Sequence, residues 1–106
     1  MAEPTDRMQT LQQMLAKDPN DTFLLYAIAL EHKKIADYPQ ALNYLDRVLR
    51  TDPTYCVAYH QAGHVHELAG DAESARKAYR IGMEVAERKG DLHAKEEMHA
   101  ALMLIE

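Results

Sequence analysis

The chain reads as all-α, a short right-handed solenoid of antiparallel helix hairpins, and three observations say so. Shifting the sequence by 34 residues lays much of residues 18–88 on itself: Asp18-Pro19 falls on Asp52-Pro53, His32 on His66, Asp37 on Asp71 and Ala41 on Ala75. Apolar residues recur at spacings of three and four within each unit, which is one face of a helix. Aspartate, proline and glycine punctuate those stretches where helices start and stop. A fixed period of this length belongs to stacked helical hairpins, each too thin to bury its own apolar face without a neighbour.

Taken in order, Pro4-Thr5-Asp6 offers a cap and a helix start, and Met8, Leu11, Met14 and Leu15 follow at helical spacing until Asp18-Pro19. Leu11 and Leu15 stand one period before Leu45 and Leu49, so this helix, residues 4–17, matches the second half of a hairpin and is expected to cap the stack. Asp21 or Thr22 caps the next helix, which carries Leu25, Ile28, Ala29 and His32 on one face and ends near Ile35. Asp37-Tyr38-Pro39 makes the turn, proline being tolerated in a first turn because its missing N–H would be unpaired there. Ala41, Leu45, Val48 and Leu49 form the second stripe, and Pro53 ends it, giving a first repeat over residues 20–53. The second repeat, residues 54–90, follows the same plan. Tyr59, Ala62, Gly63 and His66 lie on its first helix, Gly70-Asp71 at the turn, and Ala75, Tyr79, Gly82 and Val85 on its second. Asp91 caps a last helix, residues 91–106, striped by Ala94, Met98, Ala101, Leu102 and Ile105. Glu97 falls where a repeat needs a small residue, so this segment is read as a second cap, and its final turn, with Met103 and Leu104, as an ordinary buried end.

Residues at these phased positions carry a family resemblance. The chain resembles tetratricopeptide repeat (TPR) proteins through Leu25, Ile28, Ala29, His32, Ala41, Leu45, Val48 and Pro53 in one repeat. The matching places in the next are Tyr59, Ala62, Gly63, His66, Ala75, Tyr79, Gly82 and Glu87. It departs from the pattern in lacking the tryptophan, in placing histidine for tyrosine, and in Gly82, which costs its helix about 1 kcal/mol against alanine unless a neighbour packs closely there. With Glu87 in place of the closing proline, that helix is expected to run on through Arg88-Lys89 to Gly90.

The bulk numbers narrow the function. With 106 residues, 47% of them hydrophobic, there is room for one domain with a modest core. A formal charge of −5 without a basic stripe argues against nucleic acid and anionic membrane as partners. One cysteine forms no internal disulfide, no export signal is visible, and no apolar run reaches the roughly 20 residues of a membrane span, so a cytoplasmic location is expected.

In such a solenoid the first helix of each hairpin lines the concave side. Its residues not spent on packing are Phe23, Tyr26, Leu30 and Lys33 in the first repeat and Val57, His60, His64 and Glu67 in the second. Phe23, Tyr26 and Leu30 form an apolar ridge suited to a peptide or helix of another protein, or covered by the chain's own last helix. The resemblance also implies what is absent: family members that grip chaperone C-termini use lysine and asparagine where Tyr26 and Leu30 stand here.

Chemistry finds little footing. His60 and His64 have the spacing of two metal ligands, with Glu67 a turn further, but Gln61 stands where a metalloprotease helix places glutamate. His32 and His66 are read as packed rings with one nitrogen hydrogen-bonded, and Cys56 as a small apolar residue. No phosphate loop or nucleophile elbow is present. The expected function is therefore a non-catalytic protein-interaction module without cofactor or metal. Self-association as a homodimer through the groove or the last helix is the alternative, and metal-dependent activity at His60 and His64 the remote one.

Overall fold

Helix starts follow the capping chemistry of the sequence closely. In the computed structural model, which describes residues 5–106, six helices run α1 (Asp6–Lys17), α2 (Thr22–Lys34), α3 (Tyr38–Thr51), α4 (Cys56–Leu68), α5 (Ala72–Lys89) and α6 (Leu92–Met103). Pro4, part of the first expected start, lies outside the described residues. Asp21, Asp37, Asp71 and Asp91 each accept, through a side-chain oxygen, the amide three residues on, at 3.0 to 3.3 Å. Thr5 does the same for Met8 at 2.9 Å. These bonds satisfy amides that no helical carbonyl can reach. Tyr55 precedes α4 without a side-chain cap.

Three helices end alike. The chain turns through a left-handed residue at Ala36, Gly70 and Gly90, with φ of 60°, 83° and 81°. The amides of Asp37, Asp71 and Asp91 then reach back to the carbonyls of His32, His66 and Ala86. Each end thus consumes its free carbonyls in the same motif. The residue that closes one helix is followed at once by the cap of the next, which is why the turns are so short.

The helices fall into two units, residues 1–52 and 53–106. In the first, α2 packs against both α1 and α3. That double contact explains why α2 is apolar over most of its circumference, with Leu24, Leu25, Ala27, Ile28 and Ala29 all buried. Ala41, Leu45 and Val48 of α3 and Met8, Leu11 and Leu15 of α1 complete this core. Each large apolar side chain buried here contributes roughly 1.5–3 kcal/mol. Met14, expected to share the α1 stripe, is instead 50% exposed. Among the described residues α1 packs against α2, and Met14 lies off that flank.

Glu31 is buried in this core. Its carboxylate accepts the Thr5 hydroxyl at 2.8 Å and meets Arg7 Nε at 3.5 Å, tying the start of α1 to α2. His32 is buried beside it and stacks on Tyr44, with ring centroids 5.4 Å apart. Among the described residues its Nδ1 has no hydrogen-bond partner, and Asp37 Oδ2 stands 3.9 Å away. Burial holds this imidazole below its ordinary pKa, with the Asp37 carboxylate pulling the other way.

In the second unit, α5 packs against α4 and α6. Its core joins Cys56, Ala75, Tyr79, Val85, Ala86, Met98 and Leu102. Gly82 is where both neighbours close in: a β-carbon there would stand 2.6 Å from Cβ of Tyr59 on α4 and 3.2 Å from Cε of Met98 on α6. The glycine is the close-packing position that the sequence left conditional. As expected, α5 continues to Lys89 and caps at Gly90. The final turn is a correction, because Met103 and Leu104 are 63% and 87% exposed rather than buried. Arg76 holds the Ile105 carbonyl at 3.0 Å and Arg80 pairs with Glu106 at 3.1 Å. With the Ile105 carbonyl and the Glu106 carboxylate held against α5, the apolar pair just before them turns outward.

Candidate interaction surface

Once α1 and α3 have covered most of α2, a narrow stripe of it is left. Phe23 is 65% exposed, and Tyr26, Leu30 and Lys33 are half-buried. Spacings of three and four place all of them on one face. Partial burial, by removing water, pushes the Lys33 ammonium below the usual lysine pKa. The stripe therefore offers an aromatic and aliphatic surface with a cation at one end.

The corresponding face of α4 is more polar. Val57 is 38% exposed, His64 is exposed, and His60 and Glu67 are half-buried. α6 runs beside this face and makes two clefts with it. One, of about 360 Å³, is bordered by His60, His64, Glu67, Tyr79 and Leu104, and the other, of about 270 Å³, by His60, Lys89, His93, Glu97 and Met98. Tyr79 links the core to the surface: its ring is buried, its hydroxyl donates to Glu67, and its edge meets His60 with centroids 5.9 Å apart. Burial, reinforced by the Glu67 carboxylate, raises the phenol pKa, so the hydroxyl keeps its proton.

These positions bear on the metal and nucleophile readings. Glu67 is engaged by Tyr79, and among the described residues no three histidine, cysteine or acidic side chains converge as a metal site. His93 instead pairs with Glu97 on its own helix at 3.1 Å. Cys56 is buried in the core, its thiol donating to the Thr54 carbonyl at 3.4 Å, with its sulfur packed as an apolar group. Sequence reasoning missed the Tyr79–Glu67 bond and the α4–α6 clefts. The available signal was that Glu67 and Tyr79 sit on facing helices of one hairpin, each long enough to cross the gap.

No family model matches the chain. Over 91 residues it is 30% identical to a TPR repeat-containing protein of Pseudomonas aeruginosa, covering 86% of this chain and 87% of that one. The chain belongs to the tetratricopeptide repeat family. Solved structures agree. A tetratricopeptide repeat domain protein from Salinibacter ruber is 32% identical, with a TM-score of 0.78 over 84% of this chain and 90% of its own. A Bordetella parapertussis protein solved in solution is 27% identical, with a TM-score of 0.85 over 95% and 88%. PcrH, solved in complex with the chaperone binding region of PopD, has a TM-score of 0.86 over 94% and 76% at 17% identity, a likeness of fold alone. The TPR architecture is thus an all-α solenoid, as the 34-residue period implies. Among the described residues no helix is long and apolar enough to cross a membrane.

Proposed function

We infer that the chain is a non-catalytic, cytoplasmic TPR module that binds a peptide or helix of another protein through the outward faces of α2 and α4. The domain plan that serves this is a cap over residues 4–17, repeats over 20–53 and 54–90, and a cap over 91–106. One observation carries the reading: Phe23, 65% exposed, continues into Tyr26 and Leu30 on a helix otherwise covered by its neighbours. An aromatic and aliphatic stripe of this kind gains by leaving water against a partner. PcrH, with the chaperone binding region of PopD, is a case in which this fold carries a protein segment. The charge of −5 favours protein over nucleic acid or anionic membrane as the partner.

The test is Tyr26→Ala with Leu30→Ala, read by capture from the native host beside circular dichroism. The reading expects capture lost and helicity kept. Loss of helicity would make both residues core, and undiminished capture would move the binding face elsewhere. A second reading is favoured by Met103 and Leu104, 63% and 87% exposed: pairing of two copies through the last turn. Light scattering across a dilution series decides it, a monomer at every concentration removing the idea.

A further inference from the structure

The two clefts between α4 and α6 differ from the α2 stripe in charge. They lie side by side along α4 and share His60. Apolar groups line them, namely Cys56, Ala94, Met98, Ala101 and Leu104. Their charged groups are Glu67, Asp91, Glu97 and Lys89. Apart from the imidazoles, three carboxylates face one ammonium, and that ammonium is held by the Thr54 carbonyl at 3.0 Å. Asp91 is committed to capping α6, and Glu97 meets His93. Glu67 is placed differently, because the buried Tyr79 hydroxyl fixes it in position. A carboxylate has about four lone-pair sites, so one bond from Tyr79 leaves further acceptor capacity on an oriented anion.

The geometry points to a cationic segment as the occupant: an extended stretch of another protein that alternates aliphatic with lysine or arginine side chains. This rests on the peptide-binding reading and adds to it a place and a charge. The aliphatic side chains lie on Met98, Ala101 and Leu104, and the cations meet Glu67 and the Glu97 oxygen that His93 does not take. A segment bearing glutamate in the same places would set like charges together.

Fluorescein-labelled peptides of about six residues are long enough to follow three turns of α4 in extended form. Three are compared by fluorescence polarisation on the full chain: alternating leucine and lysine, leucine and glutamate, leucine and serine. The leucine–lysine peptide is expected to bind tightest and to weaken about ten-fold in Glu67→Gln/Glu97→Gln, as two surface pairs lost together would do. It should keep its affinity in Asp46→Asn/Glu73→Gln, which removes the same charge from exposed positions on α3 and α5. Glutamine at 67 retains an acceptor for Tyr79, and circular dichroism checks that both variants are folded. Equal weakening in the two variants would reduce the effect to bulk charge and overturn the proposal. Equal binding of all three peptides would overturn the charge preference while leaving peptide binding standing. If no peptide binds but capture still depends on Tyr26 and Leu30, the cleft is not the site. If that capture is absent as well, the peptide-binding reading fails with it.

Discussion

The ring of Tyr79 lies across Gly63 so closely that a β-carbon on the glycine would stand 2.6 Å from ring carbons Cδ1 and Cζ. The ring has nowhere to retreat, being buried and held at its hydroxyl by Glu67. Alanine favours a helix over glycine by about 1 kcal/mol, whereas forcing a methyl into a filled space costs roughly 1–3 kcal/mol. Gly63→Ala should therefore lose up to about 2 kcal/mol on balance in urea unfolding followed by circular dichroism. Gly82→Ala should behave alike, since the atom it meets on Tyr59 is a Cβ fixed to the backbone. A stabilised Gly63→Ala protein would show that the ring can swing aside.

Ala36 occupies, one period earlier, the place that Gly70 fills, and both have positive φ. A left-handed conformation costs a residue with a β-carbon roughly 1–2 kcal/mol relative to glycine, partly recovered through its less flexible unfolded chain. Ala36→Gly should stabilise the protein by about 0.5–1 kcal/mol. Gly70→Ala should cost a similar amount although its β-carbon would meet nothing within 4 Å. Thermal melts of the two variants should move in opposite directions.

The Thr5 hydroxyl accepts the Met8 amide and donates to the buried Glu31 carboxylate, so one small group serves two helices. Thr5→Val keeps its shape and loses both bonds. Caps are worth about 1 kcal/mol, and stripping a partner from a buried charge costs at least as much again. A loss of roughly 2 kcal/mol is expected by chemical denaturation. Arg7 also meets Glu31, but its side chain is 66% exposed, so Arg7→Ala should cost no more than about 0.5 kcal/mol. Comparable losses in the two variants would mean that the ion pair matters as much as the hydroxyl.

Local chemistry is what made the fold legible. Asp21, Asp37, Asp71 and Asp91 announce helix starts because each bonds an amide only three residues away. Leu25, Ile28 and Ala29 announce a buried face because the repeat supplies the neighbour that buries it. Contacts across the chain left no such mark. Nothing in the sequence around Glu31 signals its burial, because its partner Thr5 lies 26 positions earlier. The exposure of Met103 and Leu104 is not legible locally, because it depends on how Arg76 and Arg80 hold the two residues after them. The candidate surface was legible as a set of positions on α2 and α4. The α4–α6 clefts were not, since they depend on where α6 settles on its unit.

His32 should make stability depend on pH in a window the sequence did not suggest. It is buried between Tyr44 and Asp37, and its folded pKa is depressed below 6.5, chiefly by loss of water. In the unfolded chain the imidazole takes a proton near its ordinary pKa, while the folded protein still holds it neutral. Below pH 6.5 the unfolded state thus binds more protons, and stability falls as pH drops until the folded value is passed. Above about pH 7.5 this contribution is complete. One site can change the slope by at most about 1.4 kcal/mol per pH unit. Phenylalanine at position 32 retains the ring and the stack but cannot titrate. Urea midpoints of both proteins from pH 8 to 5 should therefore diverge, with the unmodified chain losing more toward acid. Parallel curves would place the acid sensitivity on other groups, and a steeper fall in His32→Phe would mean that protonated His32 gains an ion pair with Asp37 that outweighs its burial.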